Sequence, residues 1–219
     1  MKLTDWHWER QRLRSGQYNA SSHEDACLHC EDDYKLRLGG IHVDTVTTVG
    51  TQVMENTCID AVATWLQIAD LPSRNTDPYI GGGNYQCAFW RTLTRDLFLK
   101  DGDFQRLDDP ESYVAATKIW WSEIIDSNYQ KTARTWEFDT TIVNIACGQQ
   151  FFRTVKGYMG VGNPKPGDEV FLLKGSSVPF VLRPRGPGRE GFFVVGDCYV
   201  HGIMDGEASG RPWETIFLY

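Results

Sequence analysis

Residues 150–207, QFFRTVKGYMGVGNPKPGDEVFLLKGSSVPFVLRPRGPGREGFFVVGDCYVHGIMDGE, alternate short apolar runs with turn chemistry, the pattern of consecutive antiparallel strands. Phe151 to Val155 is one run, broken by Lys156-Gly157. Pro166-Gly167-Asp168 suits a tight turn, because proline presets φ and glycine tolerates positive φ. Glu169 to Leu173 then reads as a strand, Lys174 to Ser177 as its reversal, and Pro179 to Arg183 as the returning strand. After the loop 184–190, Phe192 to His201 reads as a further strand. Val170 to Leu173 is apolar at every position, which predicts burial on both faces. A curled antiparallel sheet or small barrel packed on helices satisfies this pattern.

Working outward, Tyr34 to Val49 alternates Leu36, Leu38, Ile41, Val43 and Val46 around Gly39-Gly40, which predicts two strand segments or one bulged strand. Tyr18 to Ser22 reads as a short strand and His23 to Asp33 as an acidic surface loop. Four helices are expected between. Thr57 caps the first, with Ile59, Val62, Leu66 and Ala69 at helical spacing before Pro72. The second runs from Tyr85 to Lys100 with Phe89, Leu93 and Leu97 in a stripe. Asp109-Pro110-Glu111 starts a third that reaches Ser127, and Phe138, Ile142, Ile145 and Gln149 mark a fourth. Trp213 to Leu218 reads as a last strand. The expected class is α+β, with a small antiparallel sheet or barrel packed on a layer of about four helices. The strands of 1–50 are too few to make a sheet alone and are expected to join those of 151–219. Residues 1–219 are therefore expected to be one interlocked unit, with 51–150 as the helical layer.

With 219 residues, 41% hydrophobic, the chain can bury a substantial core. Its mean hydropathy of -0.40 and lack of a long apolar run argue against a membrane-spanning helix. The net charge of -7 and scattered basic residues argue against nucleic acid as the main partner. No apolar leader stands at the N-terminus, so a cytoplasmic location is expected. The six cysteines are irregularly spaced and expected to be reduced.

Several clusters invite chemistry. Cys27-x2-Cys30 with His23 and His29 has half of a zinc signature. A structural site needs four ligands, and the other cysteines are singletons, so a polar loop is favoured and no metal or other cofactor is expected. In Asp197-Cys198-Tyr199-Val200-His201, strand geometry separates the thiol from the imidazole. Cys198 then reads as a core residue, and no catalytic residue is assigned. Asp197, Tyr199 and His201 share the opposite face and, with Asp205 and Glu207 of the following turn, form the expected partner surface. Asp168 reads as a turn cap. Arg183, Arg185 and Arg189 lie in a Gly/Pro loop where either solvation or an anion explains them. Gly81-Gly82-Gly83 ahead of a helix has the composition of a connector, with a phosphate cradle as the alternative. Gly157, Gly160 and Gly162 lack the order of a dinucleotide fingerprint.

The strings GYMGVG, PGDEV, VPFVLRP and VGDCYVHGIMDGE resemble the C-terminal region of fungal heterokaryon-incompatibility proteins. Thr4-Asp5-Trp6, Tyr18-Asn19-Ala20-Ser21, LRLGGIHVDTV (36–46) and CAFWRTL (87–93) resemble the same family in the same order. Nothing in the chain resembles the family's amino-terminal HET domain, related to toll/interleukin-receptor domains, so a piece of a longer protein is expected. The resemblance implies a role in non-self recognition and programmed cell death after hyphal fusion, with the amino-terminal domain as effector. The region here is then expected to be a non-catalytic regulatory or interaction region. Its partner would be another protein, or an effector domain of the same or another chain. The alternative is a small-ligand-binding or hydrolytic enzyme, its site between the helical layer and the sheet and including His201 and Glu207.

Overall fold

The computed structural model describes residues 17–22, 29–32, 34–54, 57–100, 103–106, 117–118, 121–122 and 141–219. Strands β1 (His29–Asp32) and β2 (Lys35–Val49) form a hairpin, followed by helices α1 (Cys58–Ile68) and α2 (Tyr85–Leu93) and a small hairpin of β3 (Leu97–Lys100) and β4 (Asp103–Arg106). Residues 141–146 are helical. The chain then enters β5 (Gln150–Thr154), β6 (Met159–Gly162), β7 (Glu169–Leu173), β8 (Phe180–Pro184), β9 (Phe192–Asp197), β10 (Tyr199–Val200) and β11 (Glu214–Leu218).

Pairing runs β10-β6-β5-β2-β11-β9-β8-β7, and β7 also pairs with β2. That last contact closes β2, β7, β8, β9 and β11 into a ring, which leaves no free edge around its circumference. β11 and β9 meet in parallel through Leu218 and Phe192 alone, and the other contacts of the ring are antiparallel. The fold is α+β with a barrel, as the alternating runs of the last third predict. Inside the ring lie Leu38, Phe171, Leu173, Leu182, Ile216 and Leu218, with Phe192 packed against them. Val170 and Leu172 point the other way into the main core beneath the helices. The all-apolar β7 is therefore buried on both faces, as its sequence predicts.

Helix α1 presents Cys58, Ala61, Val62 and Trp65 to that core. Trp65 stacks on Phe151 of β5 at 5.7 Å between ring centroids, and Phe89 of α2 meets the same ring at 5.6 Å. Of the expected stripe, Val62 and Ala69 are buried in the core, whereas Ile59 and Leu66 are only partly buried against it, because the larger Trp65 takes the inner position. Thr57 precedes the helix without a side-chain cap bond.

Three further expectations change. Residues 18–22 form a turn, in which the Asn19 amide donates to the Met204 carbonyl and the Ala20 amide to that of Ser177. Part of the expected acidic loop is β1. Helix α2 stops at Leu93 instead of Lys100, because Arg95 and Asp96 adopt left-handed φ values of 53° and 61°. Met159–Gly162, for which no element is predicted, is a buried strand: a Cβ on Gly160 would collide with the Phe152 ring and the Tyr199 carbonyl. The expected third helix lies almost wholly outside the described residues; 117–118 and 121–122, which are described, are helical. No helix among the described residues is long and apolar enough to cross a membrane.

Leu182 is fully buried in the ring and Val194, on the neighbouring strand, is 47% exposed. Leu182→Ala is expected to cost about 2–5 kcal/mol of unfolding free energy through lost burial and a residual cavity. Val194→Ala is expected to stay within about 0.5 kcal/mol of the parent. Urea denaturation followed by tryptophan fluorescence measures both.

Candidate functional site

A cleft of about 150 Å³ opens where the 81–83 loop, α2, β4, β10 and the turn 201–207 converge. Local sequence sets its helical wall. Asn84 Oδ1 accepts the Cys87 amide at 2.8 Å and caps α2, an ordinary role for asparagine. The Tyr85 and Gln86 amides donate to the carbonyls of Asp77 and Asn75. The first amides of the helix are thus occupied, and Gly81-Gly82-Gly83 serves as a connector rather than a phosphate cradle of helix amides. Cys87 and Arg91, four residues apart, present one face of α2 to the cleft.

Beyond the helix, the left-handed turn directs the Asp96 carboxylate inward, where it is 2% exposed. Arg91 donates to it twice, Nε to Oδ1 at 2.5 Å and Nη2 to Oδ2 at 2.7 Å. Arg106 of β4 adds Nη2 to Oδ2 at 2.9 Å. Arg106 also forks onto Asp205 with contacts of 3.1 and 2.7 Å. A buried carboxylate is tolerated only when paired, and two guanidinium groups pair this one. The Asp96 carboxylate raises Arg91 above its ordinary value. Burial lowers Arg106, but Asp205 and Asp96 more than offset this, for a net rise.

The sheet side supplies Tyr199 and His201. Both are buried, and the Tyr199 hydroxyl lies 3.0 Å from His201 Nδ1. Burial raises Tyr199 well above its ordinary value. Burial, followed by the nearby Arg91 charge, lowers His201 from 6.5 to about 4, so the ring is neutral at physiological pH. His201 Nε2 has no hydrogen-bond partner among the described residues. Tyr79 ties the two walls together: its hydroxyl donates to the His201 carbonyl at 3.1 Å and accepts the Met159 amide at 2.8 Å. Gly202, at φ 85°, packs against Gly81 so closely that a Cβ on either would overlap the other's backbone.

Four of the five residues expected as a partner surface line this cleft: Tyr199, His201, Asp205 and Glu207. Asp205 and Glu207 are exposed at its mouth, where Glu207 Oε2 accepts the Asp205 amide at 2.8 Å. The expected exposed row 197–201 does not form as a strand face. β9 ends at Asp197, and the Cys198 amide turns to the Pro179 carbonyl. Tyr199 and His201 consequently sit inward, while Asp197 is half-buried outside the cleft. Cys198 lies in the main core with Val161 and Val200 and does not line the cleft.

Of the half zinc signature, His23 and Cys27 fall outside the described residues; His29 and Cys30 lie in β1, with Cys30 exposed. No group of three or more potential metal ligands occurs among the described residues. Asp168 caps its turn by accepting the Lys165 amide at 2.7 Å and holds Arg183 through two bonds of 2.8 Å. Arg183 is thereby engaged, and Arg185 stacks on Tyr219 at 3.6 Å. Sequence reasoning passed over Arg91, Asp96 and Arg106. The usable signal was local and partial: Cys87 and Arg91 fall on one helical face.

The family model described as the Het-6 beta-barrel domain matches residues 84–218, more than half of the chain. The chain belongs to the Het-6 β-barrel domain family. The match spans the cleft from Cys87 through Glu207. A curated relative, heterokaryon incompatibility protein 6, OR allele, of Neurospora crassa, is 40% identical over 75 residues. Those residues are 32% of this chain and 11% of the relative, so the chain is related to only a small part of that protein. No solved structure matches this chain. The Het-6 barrel here thus carries its charged cleft within the family-defining region.

The depressed value of His201 makes acid stability measurable. As pH falls below 6.5 the unfolded chain takes up this proton first, while the folded ring resists protonation until about pH 4. Stability from this group is therefore present above 6.5 and lost toward 4, by up to about 3 kcal/mol. His201→Gln is expected to flatten the decline in unfolding free energy between pH 7 and 4 by up to that amount. Chemical denaturation at several pH values measures the difference.

Proposed function

We propose that this Het-6 barrel is a non-catalytic recognition and regulatory region of a fungal heterokaryon-incompatibility protein. It acts in the cytoplasm, in non-self recognition and the programmed cell death that follows hyphal fusion. Residues 1–219 work as one interlocked unit, and the partner is another protein or an effector domain of the same or another chain. The observation that carries this is the cleft itself: Arg91, Asp96, Arg106, His201, Asp205 and Glu207 converge inside the family-matched residues from both walls of the molecule. The relative's name places it in heterokaryon incompatibility.

A recognition role fits the chemistry better than hydrolysis. A general base works best with a value near the operating pH, whereas His201 lies near 4. The two arginines are held rigidly by a buried carboxylate, an arrangement that favours preorganised contact. A second reading, a small-ligand-binding protein, is supported by the position of the cleft between the helical wall and the sheet, with His201 and Glu207 both lining it.

Co-expression of this chain with a HET effector domain in a fungal host, scored for cell death, tests the proposal. The wild-type chain is expected to change the death frequency at least severalfold. Arg106→Ala, shown to be folded by its thermal melt, is expected to abolish that change. No difference with and without the wild-type chain would overturn the regulatory role.

A further inference from the structure

We infer that the cleft receives a single carboxylate group from a partner, in the place on Arg106 that Asp205 fills. This rests on the recognition role proposed above and names the chemistry of the same site.

The fixed part of the cleft is rich in donors. Asp96 already accepts three bonds from Arg91 and Arg106, and so offers an incoming cation little. Arg91 keeps its second terminal nitrogen, Nη1, without a partner among the described residues. The nine-tenths-buried His201 likewise keeps Nε2. Two guanidinium groups against one buried carboxylate leave this fixed set with an excess positive charge.

Asp205 balances that charge from a different position. Its side chain is 50% exposed, on a turn continued by Gly206 at φ 93°. Half-exposed ion pairs contribute little, and bidentate arginine–carboxylate geometry is the strong form of that contact. Arg106 does not need Asp205 to stay in place. Asp96 holds it at 2.9 Å, it donates to the Gln17 carbonyl at 3.1 Å, and it lies over the Tyr18 ring at 5.1 Å. Asp205 is thus an internal carboxylate on a bidentate seat that persists without it, and an external carboxylate competes for that seat.

Size narrows the occupant. Pockets for drug-sized ligands span about 300–1,000 Å³, whereas this cleft holds about 150 Å³. That volume suits one side-chain-sized group, either an acidic side chain or a chain terminus, rather than a nucleotide.

NMR of the full chain tests this, reading the His201 ring signal and the Gly202 amide at constant ionic strength. The probes are N-acetyl-glutamate amide for an acidic side chain, N-acetyl-alanine for a chain terminus, inorganic phosphate and agmatine. At least one carboxylate probe is expected to move both signals saturably. Asp205→Asn is expected to tighten that binding about two- to fivefold by removing the competitor. Arg106→Gln, checked for folding, is expected to abolish it. Whichever carboxylate probe binds more tightly identifies the source.

Preferential binding of agmatine or phosphate would overturn the carboxylate assignment while leaving the cleft a recognition site. Weaker carboxylate binding in Asp205→Asn would overturn the competition. If no probe moves His201 in either protein, the inference fails; the cell-death measurement decides the regulatory role separately.

Discussion

Strand β2 has fifteen residues, about 50 Å of extended chain at roughly 3.3 Å per residue, and shares that length among four neighbours. Its first part pairs with β1 and β11, its middle with β7, and its end with β5. Register shifts between His42 and Asp44, and again between Val46 and Thr48, bend it as it passes from one neighbour to the next. Bulges increase local twist and bend the strand that carries them. The barrel closes because one bent strand offers one edge to β11 and the other to β7. Gly40 permits the closure: it pairs with both Glu214 and Leu173, and an added Cβ would come within 2.7 Å of Ile216.

The same strand links the barrel to the cleft. β5 pairs with the end of β2, β6 with β5, and β10 with β6, so Tyr199 is placed by a ladder that begins on β2. From the helical side, Asp96 performs the corresponding task. One buried carboxylate orients Arg91, from the helix that precedes it, and Arg106, ten positions further along the chain. A rigid sheet and a shared counter-charge therefore meet across the close backbone contact of Gly81 and Gly202.

The legible parts of this fold are those whose cause is local. Pro166-Gly167 and Lys174-Gly175 mark turns with Gly167 and Gly175 at positive φ, and β7, β8 and β11 lie within about a residue of the runs that predict them. The missed parts have distant causes. In β6, which no apolar run predicts, glycine marks a close approach by Phe152 and Tyr199. The end of α2 has no glycine or proline, and its left-handed stop carries the carboxylate that Arg106 helps to hold. The site divides in the same way. His201, Asp205 and Glu207 stand out together in one short stretch, whereas Arg91, Asp96 and Arg106 become a cluster only after α2 and the β3–β4 hairpin dock on the barrel. Tyr199 and His201 are recognisable as a pair, but the break at Cys198 that turns them inward depends on the Pro179 carbonyl of another strand.

That division bears on how the cleft can signal. Its floor belongs to the sheet through Tyr199 and His201, and its wall belongs to α2 and β4 through Arg91 and Arg106. A group bound there touches both layers, and whatever binds only the docked form stabilises docking by mass action. Arg106 extends the effect, because its Nη1, which also reaches Asp205, holds the Gln17 carbonyl and its guanidinium lies over Tyr18, whose hydroxyl donates to the Arg95 carbonyl. Exchange of Asp205 for another carboxylate would leave those contacts intact and release the turn 205–207. On that proposed exchange the acidic turn at the mouth would be the element that moves, and the buried charge network behind it the frame that stays fixed.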